Sequence, residues 1–109
     1  MAILDDFLTL DVRVGTVVSA QPLQGARKPA LCLSIDFGEL GTKTSSAQIT
    51  DLYDPQELVG LQVVAIVNFP PRQVAGIASE VLILGVEDGT GATVILMPER
   101  PVPDGVKVH

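Results

Sequence analysis

Apolar and polar residues alternate with period two over much of this chain, and the breaks in that alternation mark out its elements. The clearest run is ALCLSIDFG, Ala30 to Gly38. Leu31, Leu33, Ile35 and Phe37 fall on one face and Cys32, Ser34 and Asp36 on the other, as in a half-buried strand. Before it, Leu10 to Leu23 carries Val12, Val14, Val17 and Val18 around an interrupting Gly15. This predicts a first strand with a bulge or the close approach of another strand. After it, the turn residues Gly38 to Gly41 lead into GTKTSSAQIT, Gly41 to Thr50, a short polar segment that reads as the return arm of a hairpin.

The period changes at DPQELVG. Asp54 can cap the first orphan N–H groups, Pro55 suits the first helical position, Glu57 takes the reciprocal capping place and Gly60 supplies a left-handed stop. One short helix is predicted there. QVVAIVNF, Gln62 to Phe69, is nearly all apolar, as expected of a strand covered on both faces or passing through a barrel, and it must end at Pro70. Glu80 to Met97 has two β-rich arms around Asp88, Gly89, Thr90 and Gly91, a hairpin pattern. The closing PERPVPDGVKVH holds three of the eight prolines and should be extended. The order gives an all-β fold: a five-stranded Greek-key barrel of OB-fold type, with one short helix between strands three and four and terminal extensions. An SH3-like barrel is the main alternative, and it normally lacks a capped helix at this place.

At 109 residues one domain over residues 1–109 is the simplest count. Hydrophobic residues make up 47% and aromatics only 4%, so the core must be built from Val, Ile, Leu and Ala. The single Cys32 cannot form an internal disulfide and reads as a small strand residue. With no basic-then-apolar leader and no apolar run long enough to cross a bilayer, the expected compartment is the cytoplasm, without membrane insertion.

Seven Lys and Arg against thirteen Asp and Glu give a net charge of −6, which opposes indiscriminate attraction to phosphate backbones. Local charge is a separate matter. Arg13, Arg27, Lys28, Lys43 and Arg72 lie at strand ends or in loops of the first two-thirds and can converge on one patch. Arg13 and Lys43 equally suit ion pairs with Asp36 or Glu80. Phe7, Phe37, Phe69 and Tyr53 are the only aromatics, so base stacking cannot be the main theme of any RNA contact. Phosphates and shape are the expected targets.

The only histidine is the terminal His109, so neither a His-based dyad nor a usual zinc site can be assembled within one chain. No GxxxxGK[ST] segment is present. Ser45 and Ser46 lack a base, and Asp5, Asp6 and Asp11 suit capping of the first turn better than a metal. No enzyme activity, catalytic residue, metal or cofactor is expected.

RVGTV (Arg13 to Val17), the Ala26 to Gly38 run, KTSSAQIT (Lys43 to Thr50), VNFPPRQVAGIASEVLILG (Val67 to Gly85) and PERPVPDG (Pro98 to Gly105) together resemble the CsaA family. That family belongs to the wider tRNA-binding-domain group. The likeness covers nearly the whole chain, and SSAQIT and NFPPRQ followed by SEV are its most specific pieces. It implies an OB-fold homodimer with chaperone activity in protein export, affinity for preproteins and the export ATPase, and a tRNA-binding capacity. Carried over by position, Arg13, Lys28, Lys43, Asn68, Arg72 and Ser79 are the implied nucleic-acid contacts. NFPPRQVAGIASE is then expected to be a stiff loop that aims Arg72 outward and returns through Gly76 to Ser79 and Glu80.

Two functions of different class follow, the chaperone first and tRNA binding second because the net charge is −6. A peptide-binding chaperone would pair two subunits through ILDDFLTL and PVPDGV, or leave those segments on their own barrel. It would hold unfolded segments near Phe69, Pro70, Pro71 and Ile77, its net acidity suiting basic export signals. A structure-specific tRNA-binding protein would act in trans, since no synthetase is appended within these residues. A plain assembly module is the third reading.

Overall fold

The computed structural model describes all residues, Met1–His109. After a short helix α1 (Leu4–Leu8), the chain runs through β1 (Val12–Pro22), β2 (Leu31–Asp36), β3 (Thr42–Ala47), α2 (Pro55–Leu58) and β4 (Gln62–Ile66). It continues through β5 (Arg72–Val74), β6 (Ile77–Ser79), β7 (Leu82–Ile83), β8 (Gly85–Glu87) and β9 (Thr93–Ile95). The main sheet has the order β3-β2-β1-β4-β7, and β5-β6 and β8-β9 are separate hairpins. This is the five-stranded OB-fold barrel expected from the pattern, with α2 between β3 and β4. No helix is long and apolar enough to cross a membrane.

Strand β1 serves two partners. Residues Val12 to Thr16 pair with β4, Thr16 to Pro22 pair with β2, and the register slips between Val17 and Ser19. That slip is a bulge at Val18, and it lets one long strand curl from one wall of the barrel to the next. Gly15 has the other role foreseen for it, close approach. A Cβ there would lie 2.7 Å from Ile35 Cγ2 and from Phe37 Cδ1. The alternating face of β2 is buried as its sequence demands: Leu31, Leu33, Ile35 and Phe37 join Val17, Ile49, Val63, Ala65, Val81 and Ile95 in one core. Leu58 of α2, fully buried, closes one end of it. The Glu57 carboxylate accepts from the Asp54 N–H at 3.0 Å, as the capping pattern requires.

Three segments differ from expectation. NFPPRQVAGIASE contains a hairpin: Ala75 (φ 48°) and Gly76 (φ 87°) both sit in the left-handed region between paired Val74 and Ile77, the geometry of a two-residue primed turn. The prolines precede β5, where their missing N–H costs no ladder bond. At the N-terminus, Asp6 accepts from the Ile3 N–H at 2.8 Å and starts a helix. The capping expected of the N-terminal acids is thus made by Asp6, while period-two reading misses the helix itself because it is one turn long. The Glu80–Met97 stretch forms the expected hairpin around Asp88 to Gly91, but its first arm changes partner at Leu84, whose N–H donates to Val64 O while its carbonyl accepts from Leu96 N.

The tail is extended and paired within its own chain. Val14 N donates to Val106 O, Gly105 N to Val14 O and Val108 N to Val12 O. Gln62 clamps it from the side, donating to Val102 O at 2.7 Å and accepting from Val102 N at 3.0 Å.

Gly15→Ala is expected to lower the unfolding free energy by about 1–3 kcal/mol, as overpacking does, because the side chains it meets are themselves buried. Denaturant titration with an unchanged m-value would confirm it, and an undiminished midpoint would refute it.

Candidate nucleic-acid interface

The barrel closes along a seam between β3 and Ser79 to Val81, the end of the hairpin and the two residues after it. Glu80 N donates to Thr44 O at 2.8 Å, and its carboxylate accepts from Thr44 N at 3.0 Å. Ser79 Oγ accepts from Ser46 N at 2.9 Å. The fully buried Ser45 donates to Val81 O at 3.1 Å. Side chains thus replace most of a backbone ladder. The serines of SSAQIT and the Ser-Glu pair of ASE are two halves of one fastening, not nucleophiles.

Beyond Ser46 the seam stays open as a groove of about 730 Å³. One wall is the end of β3 through Ile49, the other is Leu82 to Gly85, and Thr93 and Ile95 lie behind. The loop joining β1 to β2 brings Arg27 and Lys28 to its rim, and β5 brings Arg72 with Val74. These two loops are among those through which OB-folds hold oligonucleotides. Of its 18 lining residues 10 are hydrophobic, and the lining contains no Asp, Glu or aromatic residue. The chain's two ion pairs are Arg13 with Asp11 and Arg100 with Glu99, so Arg27, Lys28 and Arg72, all exposed, have no carboxylate partner. A chain of net charge −6 therefore turns three unpaired cations toward one hollow.

Of the residues singled out from the sequence, Arg27, Lys28 and Arg72 share the groove. Arg13 is half-buried, bonded to Asp11 at 2.6 Å and to Gly105 O at 3.0 Å, not to Asp36 or Glu80. Asp36 instead accepts from Gly38 N and Glu80 from the seam. Lys43 sits near the start of β3, opposite Ile35, away from the groove and without an ion pair. Asn68 ties down the segment after α1, accepting from Asp11 N and donating to Thr9 O, both at 2.9 Å. Ser79 is 9% exposed and belongs to the seam. Phe69 and Pro70 line a separate hollow of about 140 Å³ that shares Ser46, Arg72 and Leu82 with the groove. Pro71 is exposed beside it, and Ile77 faces Val74 in the hairpin. Ser46 and Gln48, inside SSAQIT, and the apolar wall Leu82 to Leu84 join the site with no charge to mark them. Arg27 joins it as one of the five basic residues expected to converge.

The site is thus an OB barrel with an incompletely closed seam and an acid-free, cation-rimmed groove, a charge arrangement that suits anionic chains. The sequence profile of the putative tRNA binding domain matches residues 12–107. The chain is 45% identical over 104 residues to a methionine–tRNA ligase of Bacteroides fragilis and 44% identical over 104 residues to one of Porphyromonas gingivalis; each match covers 95% of this chain. It spans about 15% of the length of those relatives. Among solved structures, the chaperone CsaA of Bacillus anthracis shares 55% identity with a TM-score of 0.94, covering 100% of this chain and 99% of that one. The CsaA chaperone protein of Picrophilus torridus shares 42% with a TM-score of 0.94, covering 100% of both chains. The chain belongs to the CsaA family of the tRNA-binding-domain group.

Ser79→Ala is expected to leave Ser46 N without its acceptor and to destabilise the barrel by about 1–3 kcal/mol. Hydrogen exchange should show faster exchange at Ser46 than at the β1–β2 ladder. Unchanged protection there would remove Ser79 from the seam.

Proposed function

We propose that this chain is a non-enzymatic RNA-binding module that grips folded tRNA through its groove. The observation that carries this is the convergence of Arg27, Lys28 and Arg72, unpaired, on a lining free of carboxylates. Ser46 and Gln48 supply neutral polar contacts beside them. Cations on a rigid rim meet phosphates, and without aromatic platforms the recognition is of backbone and shape. Arg13, Asn68 and Ser79 act through the fold in this reading, and Lys43 contributes long-range charge.

A second reading, a cytoplasmic CsaA-like chaperone for preproteins that docks on the export ATPase, is favoured by the apolar half of the groove and by the likeness to CsaA structures. Its homodimer would form on α1, where Leu4 and Leu8 are more than half exposed, since the C-terminal segment is already paired in cis. Exposed apolar surface of this kind marks an interaction face.

Binding of tRNA should fall steeply with salt. Arg72→Ala and Lys28→Ala should each weaken it about tenfold at low salt and lower the salt slope by about one. A triple alanine variant at Arg27, Lys28 and Arg72 that binds tRNA as tightly as the parent, while keeping its circular dichroism, would end the assignment. For the dimer, sedimentation should show the parent as a dimer at micromolar concentration and Leu4→Asp/Leu8→Asp as a folded monomer. An unchanged dimer would place the interface elsewhere.

A further inference from the structure

The groove lies between the two edge strands of the main sheet, β3 and β7, and both edges carry unused backbone groups. On β3, Thr44 and Ser46 turn their N–H groups to the seam. Gln48, next in that phase, is exposed and has no hydrogen-bond partner for its N–H or carbonyl within the chain. On β7, the Leu84 N–H donates to Val64 O while the Leu84 carbonyl turns to Leu96 N. The carbonyl of the preceding Ile83, opposite Ala65 and anti to the Leu84 N–H in one planar peptide unit, therefore points away from β4. Ile83 lines the groove, as do Ile49, Val74 and Ile95. Open edges beside apolar pockets are the setting in which a polypeptide adds as a strand.

Charge decides what such a strand must carry. Side chains of an added strand alternate between the two faces. One set would lie on the aliphatic floor, while the other would stand at the rim with Arg27, Lys28 and Arg72. A basic segment would meet three like charges there and no carboxylate.

We infer that the groove takes an extended polypeptide segment with alternating aliphatic and acidic side chains, added as a strand along Gln48 or Ile83, and rejects basic segments. This rests on the chaperone reading and narrows its client. The net acidity of the chain suggests basic export signals, but the groove itself selects the opposite sign. Such a segment occupies the space that the proposed RNA contacts need, so the two ligands exclude each other.

The test is fluorescence anisotropy of the full chain with labelled hexapeptide amides. One alternates Val and Glu, a second alternates Val and Lys, and two more are Val–Glu peptides N-methylated along one edge or the other. The Val–Glu peptide should bind and be displaced by unlabelled tRNA. The Val–Lys peptide should bind at least about tenfold more weakly. One of the two methylated peptides should lose about tenfold or more, the scale of two backbone hydrogen bonds, and Arg27→Ala/Arg72→Ala should weaken the Val–Glu peptide. Equal binding of Val–Lys, or indifference to both methylation patterns, would overturn the inference while peptide binding itself stands. If no peptide binds but tRNA does, the inference and the chaperone reading fall together and the RNA reading survives.

Discussion

Between β3 and the Ser79–Val81 segment, hydroxyls and a carboxylate fasten the barrel where a closed sheet would use backbone groups. A ladder propagates along both strands, because each bond positions the next. A side-chain fastening stops where its side chains stop. Here it stops at Ser46, and the walls diverge into the groove beyond. The hollow is thus a product of how the barrel is closed. The bulge at Val18 and the Gly15 contact supply the curvature that brings the seam's two sides within reach.

Strand periodicity made the core legible. Leu31, Leu33, Ile35 and Phe37 are buried together because a pleat places alternate side chains on one face whatever the partner strand. The capped α2 was legible for an equally local reason, its start and stop residues. The β5-β6 hairpin was hidden because its turn uses Ala75 at positive φ, a position where sequence normally announces itself with Asn or Asp. The site was legible only where charge marked it, at Arg27, Lys28 and Arg72. Arg13 carried the same mark but is spent on Asp11 and Gly105 O, partners that only the path of the tail could bring near. The apolar wall from Leu82 to Leu84 reads as ordinary strand, since nothing local says that its neighbour on one side is missing.

The separation of charge is the second organising feature. Thirteen acidic residues give the surface its sign, yet none lines the groove. The net acidity repels a polyanion, and the rim offsets that repulsion locally. Affinity is thereby concentrated into orientation, and a ligand must present its charge at one place to gain anything. A uniformly basic surface would bind RNA more strongly and in more ways.

The tail that runs beside Val12 and Val14 has a consequence for colonies of this molecule as well as for one copy. It occupies backbone groups of β1 that β2 leaves uncovered. An edge so occupied offers no template to another chain. A protein that keeps one pair of edges open in its groove and an apolar helix at its surface would otherwise present a third adhesive line. By folding its own end onto that line, the chain separates the contacts that are useful from the kind that grow into fibres.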